Sequence, residues 1–204
     1  MKKLWILLLP LSFLSSHITA QEVTDSSVVV LKEGRFIYQG RIYKENASYV
    51  TLGYGAGWNL GKNTIEQNMI LSYHHFIKGL GLFGGYHSSS DNKIWWRSYQ
   101  KLNDVFIGAG KRWENTKLNA AIFAGPALSY GSYKTWNPEK EKEWAYGFLE
   151  PGLFIEAQLT YQILYDVGIG LTCYSSLNRY YKVAGAEIHL FFSTAYVRNF
   201  EKQI

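Results

Sequence analysis

One cysteine in 204 residues, Cys173, leaves no partner for an internal disulfide. Its place in an apolar alternation reads as an inert buried thiol, not as a nucleophile. After Ala20 no run of 18 apolar residues occurs, which excludes membrane-spanning helices. No His-Glu-x-x-His or paired-Cys motif is present, and His74 and His75 alternate across one segment, so neither a metal nor a cofactor is expected. Gly108-Ala109-Gly110-Lys111 lacks the upstream glycine and following helix of a phosphate loop. Charge is also sparse. The first 20 residues hold two of the 21 basic residues and none of the 16 acidic ones, which leaves the rest at +3. Those charges are scattered, without the basic stripe that nucleic acid requires.

Glycine and aromatics are abundant: 19 Gly and 16 Tyr, with 17% aromatic residues, the usage of β-barrels with interfacial girdles. Mean hydropathy is only −0.15, as suits a chain in which alternate residues alone face lipid. Met1-Lys2-Lys3, the apolar residues 4–14 and the small Ala20 read as a secretory signal peptide over 1–20. Residues 21–47 read as a periplasmic lead, with 28–31 and 35–38 able to pair across Glu33-Gly34.

Residues 146–174 show the organising pattern. Leu149, Leu153, Ile155, Ala157 and Leu159 share one parity, and Glu150, Phe154, Glu156 and Gln158 share the other. A period of two predicts a strand with one apolar face. Thr160, Tyr161 and Gln162 read as a turn, after which Val167, Ile169, Leu171 and Cys173 alternate with Asp166, Gly168, Gly170 and Thr172. A polar face rich in carboxylates, aromatics and glycine suits a crowded barrel interior, and the apolar face suits lipid.

The same alternation recurs from residue 48 to 193 and predicts an all-β, antiparallel up-and-down transmembrane barrel of about eight strands, followed by a tail over 194–204. Connections at Lys78-Gly79, 114–116 and 160–162 are short. Those at 88–101, 132–144 and 175–179 read as longer loops. Short turns on one side and long loops on the other mark an outer-membrane barrel with both termini in the periplasm. Pro126 and Pro151 fall inside strands, where bulges are expected to absorb the missing donors.

The signal, the Gly-x-Gly strands such as Gly53-x-Gly55-x-Gly57, the loop alternation and the closing Glu187-Ile188-His189-Leu190-Phe191-Phe192 resemble the small outer-membrane β-barrel proteins of Gram-negative bacteria. In style the chain is most similar to the aromatic-rich barrels of the Bacteroidetes. The YG…IEAQLT run bears a faint resemblance to conjugal-transfer TraO barrels. The resemblance implies outer-membrane lipids, lipopolysaccharide and the barrel assembly machinery as partners. It carries over no functional residue. Barrels of this kind commonly end on an aromatic residue, whereas here Phe200 is not terminal.

Glu66, His74, Asp104, Arg112, Glu150, Glu156, Asp166, Glu187 and His189 all fall on the interior parity. The plain reading is a salt-bridged plug that fixes strand register. A ligand or proton site would need a cavity that eight strands rarely leave. His87-Ser88-Ser89 is compared with the His-x-Ser-Asn motif of outer-membrane lipid A deacylases, but Ser90 stands where Asn is expected, so a serine-rich loop and no enzyme is the reading. A soluble barrel for a hydrophobic ligand is the other alternative, and it would need apolar residues at Glu150, Glu156 and Glu187. Trp144 suits an outer aromatic girdle. Trp95, Trp96 and Trp136 are candidates for contact with a surface glycan or a protein. The expected function is a non-enzymatic structural or surface-interaction protein.

Overall fold

The computed structural model describes residues 28–31, 34–77, 79–91, 100–138 and 141–197. The signal region, Trp95, Trp96 and Phe200 lie outside the described residues. Three short strands come first: β1 (Val28–Val30), β2 (Arg35–Tyr38) and β3 (Arg41–Lys44). Eight longer ones follow: β4 (Tyr49–Asn59), β5 (Thr64–Ile77), β6 (Leu80–Ser90), β7 (Lys101–Glu114), β8 (Leu118–Asn137), β9 (Lys142–Leu164), β10 (Val167–Asn178) and β11 (Lys182–Ser193). Each long strand pairs antiparallel with its chain neighbours, and β11 pairs with β4, which closes the ring into an eight-stranded up-and-down barrel. Every one has at least the 11 residues of β4, enough for a tilted strand to cross a bilayer.

The period-two pattern has the physical meaning that the alternation implied. Leu52, Leu71, Ile107, Leu159, Ile169 and Ile188 stand 44–67% exposed on the outside. Their strand neighbours Thr51, Ser72, Phe106, Gln158 and Glu187 are buried in the lumen. A continuous apolar exterior around a polar and aromatic interior is the inverse of a soluble barrel, and it is the surface that lipid selects. Cys173 stands on this outer wall, exposed, and is not the buried thiol that the alternation suggested.

Several boundaries differ from the sequence expectation. Thr160–Gln162 is not a turn: β9 continues through Thr160↔Asn119 and Tyr161↔Leu118, and the chain turns at Tyr165 and Asp166. Thr160 and Gln162 are polar because they line the lumen, at 0% and 3% exposure. Ser88 and its two neighbours belong to β6, and residues 175–178 belong to β10. Residues 132–144 are not a loop either. There β8 and β9 stay paired as far as Asn137↔Lys142. Because β7 begins at Lys101↔Ser132 and β10 ends at Asn178↔Gly152, this hairpin runs past both neighbours as a two-stranded arm.

Neither proline needs a bulge. Around Pro126 the β7–β8 register is the same on both sides, with Phe106↔Ala127 and Ala109↔Ala124, and the ladder is interrupted between them. Pro151 lies one residue beyond the last β9 partner in β10, where the strand has become an edge. Three turns share one device. The Oδ1 atoms of Asn59, Asn115 and Asn178 each accept two backbone N–H groups, from the residues two and three positions on.

The terminal segments form a cap, where the sequence reading has a lead with partial strand character and one possible hairpin. β1, β2 and β3 make a sheet, and the free side of β3 is joined by the chain after β11 through Lys44 N–H to Ala195 O (2.9 Å) and Val197 N–H to Ile42 O (3.0 Å). Phe36, Tyr38, Tyr43, Ala47 and Ala195 form its core together with Tyr165 of the β9–β10 turn, which meets Phe36 edge-on at 4.8 Å. Burial pushes the Tyr43 and Tyr165 phenols above their usual range. The cap covers the mouth beside which the described chain begins and ends.

Candidate functional site: the filled lumen and its two mouths

From the capped mouth outward, side chains fill the barrel in tiers. Arg112 lies first, its guanidinium 4.9 Å from the Tyr49 ring and 5.2 Å from the Phe76 ring. It pairs with Glu114, donates to Asn119 Oδ1 (2.6 Å) and reaches Ala47 O (3.1 Å), while Glu114 accepts from Asn46 N–H (3.1 Å). Arg112 and Glu114 therefore fasten the β3–β4 connection to the barrel. Beside them a cleft of about 430 Å³ opens between the cap and the β7–β8 turn.

The next tier is polar. His74 Nε2 lies 2.8 Å from Glu156 Oε1, and Gln158 joins that carboxylate to Tyr49 and Thr51. His189 is held between Thr160 and Thr172, at 2.8 Å from each hydroxyl. Glu187 fills a hollow left by glycine: a Cβ on Gly53 would lie 2.1 Å from Glu187 Oε1, and one on Gly170 would lie 2.6 Å from His189 Nε2. The Gly-x-Gly pattern thus makes room for interior carboxylate and imidazole groups, not for a phosphate.

An aromatic slab follows, in which Phe106 and Phe154 stack at 4.0 Å and 5° beside Phe83, Phe123 and Tyr174. Above it His87 Nδ1 pairs with Asp104 Oδ2 at 2.7 Å, and Ser129 donates to the other Asp104 oxygen at 2.6 Å. Last comes Glu66. Asn59 and Gln100 donate to its Oε1 (2.8 Å each), and Ser89 (2.8 Å) and Tyr181 (2.5 Å) donate to Oε2. Burial and the adjoining Glu66 push the Tyr181 phenol up, so it remains a donor. Four segments of the chain are tied together by one carboxylate.

The interior parity residues therefore do not form one cluster. His74 and Glu156 meet, as do Asp104 and His87. Arg112 belongs to the capped mouth, and Glu66 to the opposite one. Glu150, half-buried, faces Ser129 across β8–β9, and Asp166 sits in the β9–β10 turn. The sequence reading missed Asn59, Gln100, Ser89 and Tyr181 around Glu66. Only the Asn59 turn had a local signal. The deacylase comparison also finds no assembled pair: Ser89 donates to Glu66, and His87 pairs with Asp104. Trp136 stands on the arm at 59% exposure, and Trp144 lies at 41%.

No family model and no curated protein matches the chain. Solved structures do. Neisserial surface protein A superposes with a TM-score of 0.53 at 9% identity, covering 71% of this chain and 94% of its own. Ail, the attachment invasion locus protein of Yersinia pestis, gives 0.51 at 14% identity, with 73% and 98% covered. At such identities the likeness is one of fold: the chain has the architecture of the small eight-stranded outer-membrane barrels. More than a quarter of it lies beyond what either structure covers.

Proposed function

We propose that this is a non-enzymatic outer-membrane barrel that acts through the mouth opposite the cap. Residues 1–20 direct export, the barrel assembly machinery inserts the chain, and lipopolysaccharide and phospholipid surround its wall. The capped mouth, with the short connections after β5, β7 and β9, faces the periplasm. The finer resemblance to Bacteroidetes barrels rests on composition. One observation carries the reading: the lumen is packed from mouth to mouth, while β8 and β9 extend past their neighbours as an arm bearing Trp136 and Trp144. A filled eight-stranded barrel has no channel to offer, so contact falls to what projects. The partner is a surface glycan or protein. The test is to replace residues 133–146 with a tight turn. The barrel should still shift its gel migration on heating and should lose attachment to cells or partner proteins. A shortened barrel that keeps every attachment of the intact protein refutes the reading.

A further inference from the structure

We infer that the mouth opposite the cap is a binding site for an acidic polysaccharide. The inference rests on the outward orientation proposed above and names the ligand of that same end. Three cations reach this mouth from separate segments: Lys62 from the β4–β5 turn, Lys134 from β8 and Arg179 from the β10–β11 turn. Lys62 Nζ donates to the Lys134 backbone carbonyl at 2.5 Å, so the Lys62 side chain reaches across the opening to β8. The Arg179 guanidinium lies 5.4 Å from the Tyr180 ring, and Tyr180 stacks on Tyr133 at 5.1 Å and 8°. Among the described residues, this end also carries carboxylates: Asp91, 3.4 Å from Lys134 Nζ, Glu141 at the hairpin tip, the half-buried Glu150 on β9, and Glu66 buried in the tier below. Among the described contacts, Lys62 Nζ is met by a neutral carbonyl and the Arg179 guanidinium by a ring face, and an anion can add to both.

The second observation is the shape of what surrounds those charges. Tyr133, Tyr146, Phe148 and Tyr180 form a connected shelf of rings, with Tyr146 and Tyr180 36% and 40% exposed. Flat amphipathic rings beside cations suit a sugar, whose C–H face packs on the ring while its sulfate or carboxylate meets the cation. Lys62 is directed over the opening, not toward the lipid wall. That favours a polysaccharide arriving from outside over the phosphates of lipopolysaccharide in the surrounding leaflet.

The test uses the purified full-length protein in detergent, with dextran sulfate, neutral dextran, polyglutamate and lipopolysaccharide as probes. Dextran sulfate should bind, weaken as salt is added, and lose at least tenfold in affinity in Lys62→Gln/Arg179→Gln and severalfold in Tyr180→Leu. Heat-shifted gel migration reports folding, and Lys62→Gln alone carries the test if the double variant does not fold. Unchanged binding in the folded variants overturns the site. Polyglutamate binding as well as dextran sulfate, with Tyr180→Leu silent, overturns the sugar in favour of an acidic peptide. Lipopolysaccharide competing equally overturns the polysaccharide source. Binding by purified protein whose arm is inaccessible on cells overturns the orientation while sparing the ligand.

Discussion

Glu66 and Glu187 are the same residue type on the same inner wall, 1% and 3% exposed, and they are kept there by opposite means. Glu66 is surrounded by four neutral donors from four chain segments. Glu187 occupies space that Gly53 and Gly55 leave empty, and its Oε2 has no hydrogen-bond partner. The first carboxylate organises its surroundings, and the second is accommodated by them. Burial alone does not say which of the two a charged residue is doing; counting donors and missing Cβ atoms does.

The largest effect should come from breaking the first arrangement. Glu66→Ala leaves Asn59, Gln100, Ser89 and Tyr181 without their acceptor, at about 1–3 kcal/mol for each buried group that finds no other. Glu187→Gln should stay within about 1 kcal/mol of the parent. Urea unfolding of the vesicle-inserted protein checks the pair, and equal losses would erase the distinction. Next, Ile169→Arg places charge on the lipid-facing wall at about 2–4 kcal/mol and should block insertion more than Thr172→Asn does. From alternation alone, Phe154→Gln would also count as mild. The Phe106 stack places it among the damaging changes instead, because it removes half of the slab's closest ring pair.

Gly53→Ala probes the hollow. The added Cβ meets Glu187 and should cost about 1–3 kcal/mol. Most of that should return in Gly53→Ala/Glu187→Ala, and a double variant no better than the single would show that the glycine serves the backbone. The smallest effect concerns the cap. The raised Tyr43 and Tyr165 phenols give stability that is complete below the unfolded value near 10 and is lost as pH rises above it. Proteolysis at 34–45 should therefore quicken in strong alkali before the barrel loses its heat-shifted migration.

Side-chain parity was legible in the sequence because lipid tolerates no ambiguity on the outer wall: Leu159, Ile169 and Ile188 announce it. The same rule misled at Thr160 and Gln162, whose polarity belongs to the lumen and imitates a turn. The arm at 132–144 was hidden because a hairpin standing clear of the membrane has no apolar face to reveal its period. The Glu66 hub was out of reach for a different reason. Its donors are as far as 115 residues away, and only barrel closure brings Tyr181 to Glu66. Tyr133 and Tyr180 likewise carry no common signal along the chain.

Tyr43 and Tyr196 are bridged across the full span of the barrel strands. Left to itself, such a long loop would be costly to close. Pairing β11 with β4 already sets Thr194 beside Ser48, with Thr194 N–H on Ser48 O at 2.9 Å. The cap's last edge is therefore nearly free once the ring is shut, and has nothing to join before then. The cap sheet works as a signature of completion: it reads whether the first and last strands of the same molecule have found each other, and a barrel joined to the wrong strand cannot forge it.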